Sequence, residues 1–162
     1  MRFYSNKELK EMDDVIKVRW RKFDIPKLGI RKMIFVDEEH QLAVGDRLIV
    51  SVKGVFLPFL GDEELLSCFS KIKIDVGAIK FITNGANLMR PGIKEFSGGF
   101  VKDDVVVVQD EKHGKSIAVG LALMDLSEAE KMEKGAIVRN LHYVGDEIWK
   151  TFKSLDADVL AL

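Results

Sequence analysis

Cys68 is the only cysteine in this chain. One thiol closes no disulfide within a chain and builds no cysteine-based metal site; a reducing, cytoplasmic location is the expectation. Flanked by Leu65, Leu66 and Phe69, it reads as a buried inert thiol rather than a nucleophile. Long apolar runs are missing too. The longest, Val52 to Leu60, is broken by Lys53, Gly54 and Pro58, and a bilayer span needs about 20 residues. The polar segment from Met1 to Lys10 lacks the apolar core of a signal peptide. No membrane partner is expected. Nor is there an excess of charge of one sign: the net charge is -1, which excludes coating of DNA or RNA by bulk charge and requires any nucleic-acid contact to use a local patch.

Catalytic constellations are also absent. His40, His113 and His142 fall in different elements, and none stands at metal-ligand spacing from another. His40 and His113 read as solvated turn residues. There is no glycine-rich phosphate loop followed by Lys-Ser or Lys-Thr, and no Gly-x-Ser-x-Gly. The adjacent pairs Asp13-Asp14 and Asp103-Asp104 point apart and do not share acid-base work. The expectation is a protein that is not an enzyme, with no cofactor and no metal.

What remains is ordinary globular composition, 47% hydrophobic and 31% charged. Ser5 and Glu8 form a capping box. Leu9, Met12, Ile16, Trp20 and Phe23 continue as one helical stripe, stopped by Pro26 and Gly29. Strands are expected at 31–36, 47–52 and, shorter, near 55–57, with Asp37 to His40 as a polar turn. Gly61-Asp62-Glu63-Glu64 opens a second helix, its acidic residues suiting the positive end of the dipole. Ser70 to Ile74 alternates and reads as a strand. No repeat or low-complexity tract interrupts the chain.

The most informative stretch runs from Asp75 to Ile93. Asp75 is placed to cap a helix near Gly77, and Gly85 fits the left-handed position past its end. A buried two-turn helix between them is expected, followed by a strand and the Pro91-Gly92 turn. A glycine turn at a helix start offers N–H groups to phosphate. Lys80, Arg90, Lys94 and Arg139 supply cations for an RNA backbone. Asn84 and Asn87 carry donors and acceptors for a base edge or sugar hydroxyl, and Met89 and Tyr143 carry stacking surface. Plainer readings compete. Gly77, Gly85 and Gly92 serve backbone turns, Asn84 and Asn87 serve turns, Lys80 is solvated, and Tyr143 with His142 packs a barrel.

This run resembles the opening of a PUA domain, a small RNA-binding module. Its other parts follow in order: the acidic turn and strand Asp103-Asp104-Val105-Val106-Val107-Val108, the strand Ser116-Ile117-Ala118-Val119-Gly120-Leu121-Ala122, a short helix from Ser127 to Gly135, and the closing strand to Tyr143. Ile79-Lys80-Phe81, Asn84-Gly85-Ala86-Asn87, Asn140-Leu141-His142-Tyr143 and Trp149 narrow the resemblance to the malignant T-cell-amplified-sequence and translation-machinery-associated group. The resemblance implies an α+β fold: a small N-terminal α/β domain over 1–72, a C-terminal PUA pseudobarrel over 73–150 and an extension over 151–162. It implies binding of structured RNA, ribosomal or transfer RNA, during initiation or subunit recycling, with a translation-factor protein as a further partner. An RNA-binding subunit of a modification complex and a protein–protein adaptor are the alternatives. The adaptor is kept open by charge: up to Lys73 there are 14 basic and 12 acidic residues, after it 11 and 14, so the halves carry +2 and -3. The expected site is Gly77, Ala78, Lys80, Asn84, Asn87, Met89, Arg90, Gly92, Lys94, Arg139 and Tyr143.

Overall fold

Ser5 does cap the first helix. Its hydroxyl accepts from the Glu8 N–H at 3.1 Å, and the Glu8 carboxylate accepts from the Ser5 N–H at 2.7 Å, which starts helix α1 at Asn6–Arg19. The computed structural model describes residues 4–161; Met1 and Leu162, both touched by the sequence reading, lie outside the described residues. Helix α1 ends earlier than its apolar stripe. At Trp20 the backbone leaves helical geometry, yet Trp20 stays buried, because the stripe continues into the turn that follows.

The chain divides into two compact units, 4–68 with 147–161, and 69–146. The first holds an antiparallel meander of β1 (Lys32–Phe35), β2 (His40–Val44), β3 (Leu48–Val52) and β4 (Val55–Pro58), in that spatial order. Strand β2 has no counterpart in the sequence reading, which placed His40 in a turn. In the structure His40 opens β2 opposite Val52. Gln41 and Ala43 have weak strand preference, so pairing with two neighbours decides the conformation. Helix α2 (Glu63–Leu66) follows, capped by the Asp62 carboxylate accepting from the Leu65 N–H at 3.1 Å.

The second unit is a six-stranded sheet. Its strands are β5 (Ser70–Ile74), β6 (Leu88–Met89), β7 (Ile93–Ser97), β8 (Val105–Asp110), β9 (Ser116–Ala122) and β10 (Ala136–Tyr143), in spatial order β6-β10-β9-β8-β5-β7. Only β5 and β8 pair in parallel. The two edge strands, β6 and β7, are consecutive in sequence and joined by the three-residue 3-10 turn Arg90–Gly92. So short a link forces the sheet to curl until its edges meet, which leaves little open edge. Ile72, Ile74, Val106, Val108, Ile117 and Ile137 fill its interior. Short helices α3 (Ile79–Ile82) and α4 (Leu126–Lys131) pack on this core through Ile82 and Ala129.

Two expectations about this region are corrected. The segment after Asp75 is a 3-10 turn, Val76–Ala78, leading into the four-residue α3. Only Ile82 is buried; Val76 is 54% and Phe81 57% exposed. Asp75 occupies the cap position, but its side chain makes no capping bond. The boundaries shift as well. The second unit starts at Phe69, because β5 pairs with β7 and β8. It ends at Asp146, because α5 (Glu147–Ser154) sets Trp149 and Phe152 beside the buried Phe59 ring, at centroid distances of 6.1 and 4.5 Å. The expected extension is thus partly core of the first unit; it closes with α6 (Ala157–Ala161). With these limits the second unit carries 11 basic and 11 acidic residues, so the -3 of the sequence split disappears.

Candidate nucleic-acid interface

Where the sheet edges β6 and β7 meet, a groove of about 470 Å³ opens beside α3. The 3-10 turn supplies Gly77 and Ala78, α3 supplies Phe81 and Ile82, the loop into β6 supplies Ala86 and Asn87, and β6 itself supplies Leu88 and Met89. Pro91 and Gly92 close it, with Asp75 at its rim. The lining is mostly apolar. Phe81 at 57% and Met89 at 49% are large apolar side chains left open to water. The sequence explains why. In a four-residue helix, Ile79 and Ile82 are three apart and turn the same way, toward the core; Phe81 then has to face outward.

The seam is held by a small network that the sequence reading did not assign. The Asn140 side chain, on β10, donates through Nδ2 to the carbonyls of Ile82 and Ala86, both at 2.9 Å. Its own N–H donates to the Asn87 side-chain oxygen at 3.0 Å. Asn140 therefore fixes the loop that forms one wall of the groove, and it engages the side-chain oxygen of Asn87, which stays exposed in the groove lining. Gly85 sits at φ +91 with the Tyr143 ring where a Cβ would go, the nearest atom 3.2 Å away. The left-handed reading of Gly85 matches that conformation. Gly77 has no such backbone requirement: a Cβ there would meet only the Asp75 carboxylate, at 3.4 Å. Gly92 is needed for closeness, since its Cβ would lie 3.1 Å from that of Ala78.

Of the eleven expected site residues, Gly77, Ala78, Asn87, Met89 and Gly92 line the groove. The others are placed elsewhere. Lys80 is exposed, with Nζ 5.2 Å from the Phe81 ring centre. Asn84 and Lys94 are exposed, as is Arg139 on β10 opposite Leu121. Arg90 is half-buried, donating from Nε to the Ala129 carbonyl at 3.1 Å and lying 5.3 Å from the Phe96 ring centre; it ties α4 to the seam. Tyr143 packs against the interior. His142 is fully buried, its Nδ1 2.7 Å from the Asp146 carboxylate, which also accepts the Tyr143 N–H. That is a packing role. The expected phosphate contact at the Gly77 turn faces two obstacles: the Ala78 N–H is taken by the Asp75 carbonyl, and the Asp75 carboxylate stands beside the turn.

Two carboxylates elsewhere are held below their usual range. The Asp110 carboxylate receives the backbone N–H of His113 at 2.6 Å and of Lys115 at 3.2 Å, which outweigh its burial. Burial pushes Asp37 up, but bonds from the His40 ring and from the Glu39 and His40 N–H groups bring it down overall. Both organise turns. Among the described residues no helix is long and apolar enough to cross a membrane.

The PUA domain model matches residues 70–144. An uncharacterized protein of Methanocaldococcus jannaschii is 37% identical over 157 residues, covering 91% of this chain and 93% of its own. Translation machinery-associated protein 20 of Eremothecium gossypii is 33% identical over 134 residues, covering 77% and 74%. The crystal structure of a hypothetical protein from Pyrococcus horikoshii OT3 is similar over 93% of this chain and 98% of that one, with a TM-score of 0.71 and 26% identity. The expected α+β class with a PUA pseudobarrel agrees with these similarities.

Proposed function

Since this chain belongs to the PUA-domain family of translation machinery-associated protein 20 and the malignant T-cell-amplified sequence proteins, we propose that it is a non-catalytic RNA-binding protein of the translation machinery, and that it takes unpaired nucleotides of ribosomal or transfer RNA into the groove at the sheet seam. The observation that carries this is the exposed Phe81 on the groove wall, with Met89 and Pro91 in the same lining. A base has an apolar face that such a wall accepts at about 1–3 kcal/mol per stacked base. Lys80, with its ammonium beside the Phe81 ring, and Lys94 supply cations for the backbone, and the groove's lack of charge inside suits a base better than a phosphate. The relatives' name, translation machinery-associated protein 20, favours a place at the translation machinery; within it, initiation or subunit recycling beside a protein translation factor is the role proposed.

The test is Phe81→Ala, which removes a side chain more than half in water and leaves the melting temperature near wild type. Structured RNA binding then weakens by about 1–3 kcal/mol, roughly 5- to 150-fold in Kd, and co-sedimentation with ribosomal subunits falls in step. Wild-type affinity in the variant rejects the groove. RNA turnover by the purified chain, lost on changing one acidic residue or histidine, rejects the non-catalytic reading.

A further inference from the structure

The first unit carries its own concentration of positive charge. Lys17, Arg19, Arg21, Lys22 and Lys27 fall within eleven residues that hold one carboxylate, Asp24. This segment is +4 in a chain of net -1, so the remainder is -5. All five cations are exposed. Lys17 and Arg19 lie in the last turn of α1, where the helix dipole favours cations. Arg21, Lys22 and Lys27 lie beyond it and gain nothing from that effect, which falls off within the last turn.

Several other cations are neutralised locally, and those that are not, such as Lys80, Lys94 and Arg139, are scattered singly along the chain rather than gathered five in eleven residues. Arg31 meets Asp46 at 3.0 Å, Arg47 meets Asp62 and Glu64 at 3.0 Å, and Lys73 meets Glu95 at 3.5 Å. Lys17, Arg19, Arg21 and Lys27 pair with no carboxylate among the described residues. The backbone beneath them is fixed. Ile16, Trp20 and Leu28 are buried, and the turn is bonded from Trp20 N–H to the Ile16 carbonyl and from Phe23 N–H to the Trp20 carbonyl, both at 2.9 Å. Unpaired cations on a fixed scaffold retain a self-repulsion that a polyanion relieves.

We propose that residues 17–27 form a second RNA contact, one that grips the phosphate backbone without reading sequence. It rests on the proposed ligand class and adds to the groove a site on the other unit. The patch fits a backbone better than a folded protein. Its one exposed large apolar side chain among the described residues is Val18, at 64%, whereas protein interfaces need an apolar core with few charges. Arg19 and Arg21 offer forked donors that match phosphate oxygens in pairs.

The experiment is filter binding of full-length protein to total transfer RNA and to purified ribosomal RNA across a salt series. Each phosphate contact removed flattens the plot of log affinity against log salt by about 0.7 for single-stranded RNA. Lys17→Ala gives one such decrement, and Lys17→Ala with Arg19→Ala and Arg21→Ala about 2. Lys17→Arg with Arg21→Lys keeps the wild-type slope. Should the triple variant melt early, the single one still decides. Phe81→Ala weakens affinity with little change of slope, so the two sites fail separately: a silent Phe81→Ala beside a flattened triple variant rejects the groove and keeps this patch. A wild-type slope in both Lys17→Ala and the triple alanine variant overturns the patch. So does competition by poly-L-glutamate as strong as by RNA of equal charge, which assigns it to an acidic protein.

Discussion

Asn140→Ala tests how the seam is held. The substitution deletes two hydrogen bonds of 2.9 Å, to the carbonyls of Ile82 and Ala86. Each such bond is worth about 0.5–1.5 kcal/mol net. Part of the loss is offset. The Ile82 carbonyl keeps the Gly85 N–H at 3.0 Å. The Asn140 Oδ1, buried with no partner among the described residues, disappears along with the burial cost it carried. The expected loss is therefore about 1–2 kcal/mol, below the sum of the two bonds. For a unit spanning 69–146, that lowers Tm by roughly 4–15 °C. Asn140→Asp is worse, since it presents a carboxylate oxygen to two carbonyls in place of the donor. The assay is thermal and urea unfolding of the full chain, read by a probe in the second unit, with RNA titration below the transition. RNA binding weakens in both variants, because Ala86 and Asn87 form a wall of the groove. The reasoning is refuted if both variants melt with wild type, or if Asn140→Asp is the more stable of the two.

Glycine changes separate close packing from mere convention. Gly120→Ala places a Cβ 2.0 Å from the Arg139 carbonyl oxygen, between paired strands that have no room to part, and costs at least about 2 kcal/mol in unfolding experiments; Gly77→Ala, with no close backbone neighbour, leaves the melting temperature near wild type. Acid sensitivity resides partly in Asp110. Its carboxyl is held below the ordinary 3.8 by the His113 N–H first and the Lys115 N–H besides, so its contribution is full above the unfolded value and is lost as pH falls through the lower folded one. Melting curves of wild type and Asp110→Asn from pH 6 to pH 2 converge at the acid end; parallel curves contradict the assignment.

The capping box at Ser5, the strand Ser70–Ile74 and the left-handed Gly85 were all legible in the sequence, because each is set by neighbours a few residues away. The order of elements around the second unit came from the resemblance to PUA domains. Strand β2 was not: Gln41 and Ala43 have no strand preference of their own, and the ladders to β1 and β3 decide it. Nor was the role of Asn140, which reaches 54 and 58 residues along the chain to Ala86 and Ile82. The sequence supplied Arg90 and Tyr143 as candidate ligands; tertiary packing bonded Arg90 to the Ala129 carbonyl of α4 and set Tyr143 behind Gly85. Conversely, Phe81 lies in the helix that the sequence led us to expect as buried, and it faces water because a four-residue helix has one inward side, already filled by Ile79 and Ile82. Local conformation follows from local residues. The groove comes from the meeting of two sheet edges, and that meeting depends on strand pairings that no single segment contains.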